Sequence, residues 1–264
     1  MKKLFAIIFS LLLLTTSCSH DKPYVIHGSV ELPDSLMVGD TLMATPSLEG
    51  WQVYMLDLDG VTVDSVQIED NKFTFEGTVD ERNPFYVYVA SDLCVGLIAV
   101  EPGDINIVID AESLTATGTP TNDMMIDLDA ALLNLQQDTY VQMAELTDAY
   151  GEEMNDSLML PLYQDYIDKY MHVVDSFYQK ASDFAGIYCV NVLTSNAQSS
   201  ADLIDAVSDY PDYVKNSSLI QSRINYLRSI ESYYKMLEGA VTDSTSFSLD
   251  DLMRDAEVST SSGN

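Results

Sequence analysis

The chain has 264 residues, of which 47% are hydrophobic, and its 12 basic residues stand against 42 acidic ones, for a formal net charge of −30. This charge excludes a nucleic-acid-binding protein, because a polyanionic backbone would be repelled and no Lys/Arg cluster is present to release counterions. The hydrophobic fraction is large enough for a buried core and excludes extensive disorder, and the length fits one or two domains.

The first residues have the pattern of an export signal. Lys2 and Lys3 give a positive start, and an apolar run follows from Leu4 to Leu14. This run is shorter than the roughly 20 residues that a bilayer-spanning helix needs. Small residues then precede Cys18, as they do at a processing site. The pattern predicts a signal peptide over residues 1–17.

The cysteine at this border resembles the lipobox of bacterial lipoproteins, in which the thiol is acylated and becomes the first residue of the mature chain. Thr15 stands where Leu is usual, a relaxed form that is common in lipoproteins of Bacteroidota. The resemblance implies that Cys18 carries the lipid, palmitate included, and is followed by a tether over residues 18–23. It places the protein at the outer membrane or the periplasm-facing cell envelope, with the lipid bilayer as a partner. An ordinary cleaved signal, with Cys18 incidental, is the alternative.

From Tyr24 to about Thr119 short runs of alternating apolar residues are separated by turn residues, which predicts an all-β sandwich of eight or so strands over residues 24–119. Asp59-Gly60 and Asp70-Asn71 are the clearest turn signals, and Pro33 to Gly50 is predicted to be a long loop. The predicted strands are Tyr24–Leu32, Trp51–Leu56, Val61–Ile68, Lys72–Val79, Phe85–Ala90, Cys94–Val100 and Ile105–Ile109.

After Pro120 the apolar period becomes helical, so we predict an all-α domain over residues 120–257 and a disordered tail over 258–264. The fold class is therefore α+β as two regions. The first helix is predicted to begin at Pro120, where the side chains that follow are expected to accept from free N–H groups, and to end near Gly151. Later helices are predicted near Ser157 to Ala185, Ile187 to Ser195, Ala201 to Ser208, Leu219 to Glu238 and Leu249 to Ala256.

The helix that begins near Ser157 has the clearest periodicity. Tyr163, Ile167, Tyr170 and Val174 recur at steps of three and four residues. This spacing predicts one buried face along the whole helix.

The sequence lacks the familiar catalytic motifs, among them Gly-x-Ser-x-Gly, the P-loop and His-Glu-x-x-His. Its three histidines, His20, His27 and His172, have no spacing that would hold a zinc ion. The segment 57–60 is similar to part of a calcium loop, but Val61 stands where the third oxygen ligand is needed, so we predict a turn. We predict no catalytic residue, no metal and no cofactor.

Besides Cys18, only Cys94 and Cys189 remain after processing. Each lies in an apolar pattern, which predicts two buried thiols that act as small hydrophobic groups. The sequence leaves open whether a disulfide bridge joins the two cysteines.

Tyrosine is concentrated in the helical part. An amphipathic ring at the border of a helical core explains most of these residues. A groove for a peptide, a glycan or another protein is the alternative, with Tyr233 and Tyr234 as its first candidates, since adjacent helix positions cannot both face the core. The tyrosines beyond Pro120 are Tyr140, Tyr150, Tyr163, Tyr166, Tyr170, Tyr178, Tyr188, Tyr210, Tyr213, Tyr226, Tyr233 and Tyr234.

Five short motifs follow one another in a fixed order: Tyr24-x-Ile26-x-Gly28, Val63-Asp64-Ser65, Asn71-Lys72-Phe73-x-Phe75-x-Gly77, Glu101-Pro102-Gly103-Asp104-Ile105 and Thr117-Gly118-Thr119-Pro120-x-Asn122. Together they resemble the uncharacterised β domain at the N-terminus of many Bacteroidota lipoproteins, which commonly precedes a helical segment and a thioredoxin-like domain. No Trp-Cys-x-x-Cys follows here, and the single tryptophan is Trp51. No thioredoxin chemistry is therefore carried over to this chain.

A second resemblance concerns modification. Asp34-Ser35-Leu36 and Asp40-Thr41-Leu42 are similar to the Asp-Ser/Thr-aliphatic acceptor for O-glycans on exported Bacteroidota proteins. The resemblance implies O-glycosylation at Ser35 and Thr41, which lie in the predicted loop.

These observations favour a lipid-anchored cell-envelope protein with a non-catalytic binding or scaffolding role and a protein or glycan partner. One alternative is an accessory or degenerate member of a periplasmic thiol-disulfide oxidoreductase system that lacks the redox domain. Another is a glycan-binding surface lipoprotein.

Overall fold

The computed structural model describes residues 20–38, 41–45, 47–91, 93–111, 113–151 and 155–244. Cys18, the signal segment, the predicted helix Leu249–Ala256 and the C-terminal tail lie outside the described residues. The strands are β1 Asp21–Val30, β2 Ser35–Val38, β3 Thr41–Ala44, β4 Gln52–Leu56, β5 Thr62–Gln67, β6 Lys72–Asp80, β7 Phe85–Ala90, β8 Val95–Val100, β9 Gly103–Ile109 and β10 Leu114–Thr117.

Two four-stranded sheets and a separate hairpin make up the N-terminal region. One sheet has the order β10-β9-β1-β6, the other has the order β5-β4-β7-β8, and β2 pairs only with β3. All pairs are antiparallel except β1 with β9, which run in parallel with Ile26 opposite Ile105. The alternating pattern predicts strands but does not fix their directions, so this parallel pair is not foreseen by it.

The core of the β region lies between the two sheets. Alternate side chains of each strand point inward, as the period of two predicts. Ile26 and Phe75 come from one sheet, Val89 and Ile98 come from the other, and all four are almost completely buried. The predicted sandwich is confirmed, with two sheets that share one core.

Both predicted tight turns are present. Asp57 accepts hydrogen bonds from the backbone N–H groups of Asp59 and Val61, and this turn joins β4 to β5. Asp70 and Asn71 both have positive φ, at 51° and 59°. They form the turn between Glu69 and Lys72, which pair as an antiparallel β-bridge. Asp and Asn tolerate this left-handed conformation better than other residues with a side chain, which is why the turn falls there.

The structure corrects three details of the β region. Pro33 to Gly50 is not one long loop, because it contains the β2–β3 hairpin. The strand β1 begins at Asp21, earlier than the pattern predicts, and pairs from there with Asp80. A further strand, Leu114–Thr117, pairs with β9. Three of these strands, β2, β3 and β10, are only four residues long, and alternation is a weak signal over so short a segment.

The helices are α1 Pro120–Tyr150, α2 Asp156–Tyr178, α3 Asp183–Leu193, α4 Ser200–Ala206, α5 Asp212–Lys215 and α6 Ser218–Ser244. The α+β class with two regions is confirmed. The helix α1 begins and ends as predicted, and Gly151 follows it with positive φ. The predicted continuation of α2 to Ala185 is wrong, because Ser182 accepts a hydrogen bond from the N–H of Ala185 and starts a new helix.

Helices α1 and α2 pack against each other as an antiparallel pair, and the part of the pair away from the sheet has few buried residues. We call residues 133–171 of this pair, as far as the structure describes them, the arm. Tyr163 and Ile167 are exposed there, so the prediction that one face of α2 is buried throughout is wrong. Val174, one turn beyond the arm, is completely buried. The periodicity is real along the helix, but only its C-terminal end has the rest of the protein to pack against.

Among the described residues no helix combines the length and the apolar character that a membrane span requires.

Candidate binding cleft between the sheet and the helices

The strands β7 and β8 are apolar on both faces, and this places the helices. Val87 and Val89 point into the sandwich, whereas Tyr86 points to the other side and is also buried. Its ring stacks on that of Phe184 with centroids 4.4 Å apart, and its hydroxyl donates to the Phe184 carbonyl over 2.8 Å. Ala99 lies beside it in the same cluster. The main core of the helical region is therefore built on the outer face of the sheet.

Asn122 fixes the first turn of α1 to this sheet. Its Oδ1 accepts from the N–H of Ala99 at 3.0 Å, and its Nδ2 donates to the Ala99 carbonyl and to Thr119 Oγ1, both at 2.8 Å. The side chain thus bonds to β8 as a neighbouring strand would, and it is 1% exposed.

The prediction that the side chains after Pro120 accept from the first turn of α1 is wrong. Asp123 accepts from the N–H of Gly118, which precedes the helix, and Asn122 accepts from Ala99. The N-cap residue Thr119 makes no side-chain cap bond. Instead Glu101, which precedes β9, accepts from the N–H of Thr121 at 2.7 Å and from its hydroxyl at 3.0 Å. A carboxylate at this position also faces the positive end of the helix dipole.

A cleft of about 740 Å³ opens beside this packed junction. Its floor comes from the outer face of β7 and β8, and its walls come from the β4–β5 turn and from α2, α3 and α6. The lining residues are Leu58, Asp59, Gly60, Tyr88, Leu97, Tyr170, Tyr188, Asn191, Val192, Ser195, Leu219, Ser222, Arg223 and Tyr226.

Four tyrosines from four elements line the cleft. The Tyr170 hydroxyl donates to the Val192 carbonyl at 3.2 Å, and the Tyr188 hydroxyl donates to Asp129 Oδ1 at 3.0 Å. Burial raises the pKa of Tyr188 above its ordinary value, with the charge of Asp129 acting in the same direction, so this phenol stays neutral. Tyr88 is half-buried and Tyr226 is 64% exposed at the rim.

Arg223 lines the same cleft and holds the end of α3. Its Nη1 donates to the Asn191 carbonyl at 3.1 Å and to Thr194 Oγ1 at 3.2 Å, and its Nη2 donates to the Thr194 carbonyl. Burial lowers the pKa of this guanidinium, but an arginine remains protonated in a protein. None of the ion pairs between described residues includes Arg223. Its charge therefore faces carbonyl dipoles and the cleft rather than a carboxylate.

The opposite charge in the cleft belongs to the β4–β5 turn. The hydroxyl of Ser222 donates to the Leu58 carbonyl at 2.7 Å and lies 3.2 Å from Asp59 Oδ1. This contact ties the turn to α6, one residue before Arg223. The cleft thus combines apolar and aromatic walls with one carboxylate and one guanidinium that do not pair with each other.

The predicted site residues lie elsewhere. Cys18 is outside the described residues. Ser35 and Thr41 are in the strands β2 and β3. Tyr233 and Tyr234 are exposed on α6, where their rings meet edge to face with centroids 6.1 Å apart, and neither ring lines the cleft. The interpretation that both rings cannot face the core agrees with this placement, since neither does.

Sequence reasoning missed Arg223 and the cleft. Three of its tyrosines, Tyr170, Tyr188 and Tyr226, belong to the noted tyrosine group, but nothing in that group separates them from the others. The usable signal was the scarcity of cations. The chain has 12 basic residues, and Arg223 stands between the buried helix positions Ile220 and Ile224, which places a cation beside the helical core.

The remaining ionisable groups offer little reactive chemistry. Cys94 and Cys189 are free thiols, so the question of a bridge is answered. Cys189 is buried as predicted, while Cys94 is half-buried. Burial raises the pKa of Cys189 to about 11. Within the described parts of the chain no group of three His, Cys, Asp or Glu side chains is arranged to hold a metal ion.

The N-terminal part of the chain matches a known protein family. Residues 24–125 match the family described as Domain of unknown function (DUF4369). The match covers the β region from Tyr24 onward and continues past Asn122 into the start of α1. No curated protein matches the chain. The resemblance inferred from the five motifs is confirmed over residues 24–125, which match this N-terminal domain of unknown function.

Proposed function

We propose that the chain is a non-catalytic binding protein of the cell envelope and that its ligand occupies the cleft between the sheet and the helices. The observation that carries this proposal is the lining of the cleft. A concave site of about 740 Å³ with four tyrosines, several apolar side chains and few charged groups has the size and composition of a small-ligand site.

The chemistry of the lining favours binding over catalysis. The serines in the cleft, Ser195 and Ser222, have no histidine among the lining residues to activate them. The Tyr188 phenol has a raised pKa, and Arg223 is too basic to act as a proton acceptor. Turnover of a sugar, a peptide or a disulfide by the purified protein would contradict this part of the proposal.

The envelope location rests on the N-terminal pattern. An acylated Cys18 would hold the protein at a membrane, since each buried CH₂ of an acyl chain contributes about 0.8 kcal/mol. The change Cys18→Ala should move the protein from the membrane fraction to the soluble fraction. Retention in the membrane fraction after this change would exclude the lipid anchor.

Binding in the cleft is tested with two matched tyrosine variants of α6. A panel of short peptides and oligosaccharides is screened by thermal shift against the Cys18→Ala protein. Tyr226→Ala should abolish the shifts, because its ring forms the rim of the cleft, whereas Tyr233→Ala should preserve them. Both rings are exposed on the same helix, which makes the second variant a control for surface changes. Loss of oligosaccharide binding in Tyr233→Ala alone would favour the glycan-binding alternative at the Tyr233–Tyr234 surface.

A further inference from the structure

The guanidinium of Arg223 is the strongest unexplained feature of the cleft. We propose that it receives the C-terminal carboxylate of a short apolar peptide whose side chains pack on the cleft tyrosines. This inference rests on the proposed function and names the ligand class of the same cleft.

The charge of Arg223 favours an anionic ligand group. The chain has a net charge of −30, yet this half-buried cation forms no ion pair with any described carboxylate. A half-buried charge without a counterion is costly, so an anionic group that reaches it gains more than it would at an exposed arginine. Arg223 lines the cleft and is only half-buried, which allows a ligand to supply that anion.

The guanidinium of Arg223 is also held in position before a ligand binds. The acceptors at the end of α3 hold Nη1 and Nη2 of Arg223 in place, while none of the hydrogen bonds between described residues uses its Nε–H. A guanidinium that is already fixed loses little side-chain entropy when it binds a ligand. Its fork geometry suits a planar carboxylate.

The lining of the cleft favours a peptide over an acidic sugar. A sugar ring needs many hydrogen-bond partners, but the hydroxyl protons of Tyr170 and Tyr188 already go to Val192 and Asp129. The walls Leu58, Leu97 and Leu219 are apolar. Such a lining suits apolar or aromatic side chains better than a polyol.

The cleft also contains a second charged side chain. Asp59 lies in the same cleft, tied to α6 through Ser222, and does not pair with Arg223. A short peptide carries an ammonium group for Asp59 as well as a carboxylate for Arg223. An acidic sugar would leave Asp59 as an unmatched like charge.

The experiment compares four probes on the full chain carrying Cys18→Ala, by isothermal titration calorimetry. The probes are the tripeptide Ala-Phe-Ala as the free acid, its C-terminal amide, its N-acetylated form, and a digalacturonate. The free acid should bind at least about tenfold more tightly than the amide, a difference of about 1.4 kcal/mol. N-acetylation should weaken binding by a smaller factor, because Asp59 is exposed and its attraction is screened.

Two arginine variants of α6 then locate the effect. Arg223→Gln should remove the preference for the acid over the amide, whereas Arg228→Gln, an exposed arginine on the same helix, should keep it. Because Arg223 also holds the end of α3, circular dichroism must show that the first variant is folded. The comparison of acid with amide on the unchanged arginine tests the inference even if that variant fails to fold.

The outcomes separate the inference from the proposed function. Equal binding of acid and amide would overturn the role of Arg223, yet loss of both in Tyr226→Ala would still support a ligand in the cleft. Binding of the digalacturonate without the peptides would overturn the ligand class. Failure of every tripeptide to bind would overturn the inference, while hits from the wider panel that depend on Tyr226 would leave the proposed function in place.

Discussion

The β region and the helical region are held together in different ways. The sheets enclose a core of their own, in which alternate residues of two sheets meet. The main helical cluster instead includes Tyr86 and Ala99 from the sheet, so the helices complete their core only by packing on β7 and β8. This difference shows that the helical region extends the β region and is not an independently packed domain. The cleft lies where the extension leaves part of the sheet face uncovered.

The arm marks the opposite extreme within the helical region. On the arm, beyond the buried residue Val174, apolar side chains such as Leu133, Tyr163 and Ile167 are exposed. The same amphipathic pattern therefore contributes much to the free energy of unfolding at one end of α2 and little at the other. Substitutions can measure this gradient directly.

The largest effect is expected in the sandwich core. Phe75 is 1% exposed and packs among residues of both sheets, so Phe75→Ala should lower the free energy of unfolding by about 3–5 kcal/mol. Ile167→Ala on the arm is the comparison and should change it by less than about 0.5 kcal/mol, because that side chain is exposed. Urea unfolding followed by circular dichroism measures both. Similar losses in the two variants would show that the arm is packed against something in solution.

A smaller but specific loss is expected at the junction. Asn122→Ala removes the partner of the N–H and the carbonyl of Ala99, which are buried, and should cost about 2–3 kcal/mol. Asn225→Ala changes the same side chain at an exposed position and should cost less than about 0.5 kcal/mol. The same unfolding measurement applies. If Asn122→Ala is neutral, the contact of α1 with β8 is not what fixes the helices to the sheet.

The next prediction concerns a motif of the β region. Gly28 faces Phe73 across the β1–β6 ladder, and a Cβ on Gly28 would lie 2.0 Å from Phe73 Cζ. Because the ring is itself buried, Gly28→Ala should cost about 1–3 kcal/mol through overpacking. In a Phe73→Ala background the same change should cost clearly less, and a double-mutant cycle measures this coupling. Additive losses would mean that the ring does not require the glycine.

The smallest effect is chemical rather than structural. The raised pKa of Cys189, about 11, means that its thiol remains protonated at pH 8 and gains thiolate only as the pH approaches that value. In the folded Cys18→Ala protein we expect Cys94 to react first with a thiol reagent, since it is half-buried while Cys189 is buried. Mass spectrometry of the labelled peptides gives the order. Fast labelling of Cys189 at pH 8 would show that the packing around α3 opens readily.

Local signals in the sequence predicted the elements, and the limits of that prediction are physical. Alternation located most strands, and the turn residues Asp70 and Asn71 located a hairpin, because these features depend on neighbouring residues. The break between α2 and α3 was missed, since Ser182 resembles an ordinary polar helix position until its hydrogen bond to Ala185 is seen. The parallel pairing of β1 with β9 joins segments that are about eighty residues apart and leaves no local trace.

The cleft was not predictable for the same reason. Its lining comes from six separate elements of the chain, from Leu58 in a turn to Tyr226 in the last described helix. No spacing rule connects Asp59 with Arg223. The sequence could indicate that tyrosines and a small number of cations were available, whereas the fold decides which of them meet.

The most direct test of the central claim asks where a ligand touches the protein. Nuclear magnetic resonance of the Cys18→Ala protein with ¹³C-labelled tyrosine rings can follow each ring during titration with Ala-Phe-Ala. A ligand in the cleft should shift the resonances of Tyr88, Tyr188 and Tyr226 and leave those of Tyr233 and Tyr234 unchanged. Shifts confined to Tyr233 and Tyr234, or no shifts at saturating peptide, would contradict the account.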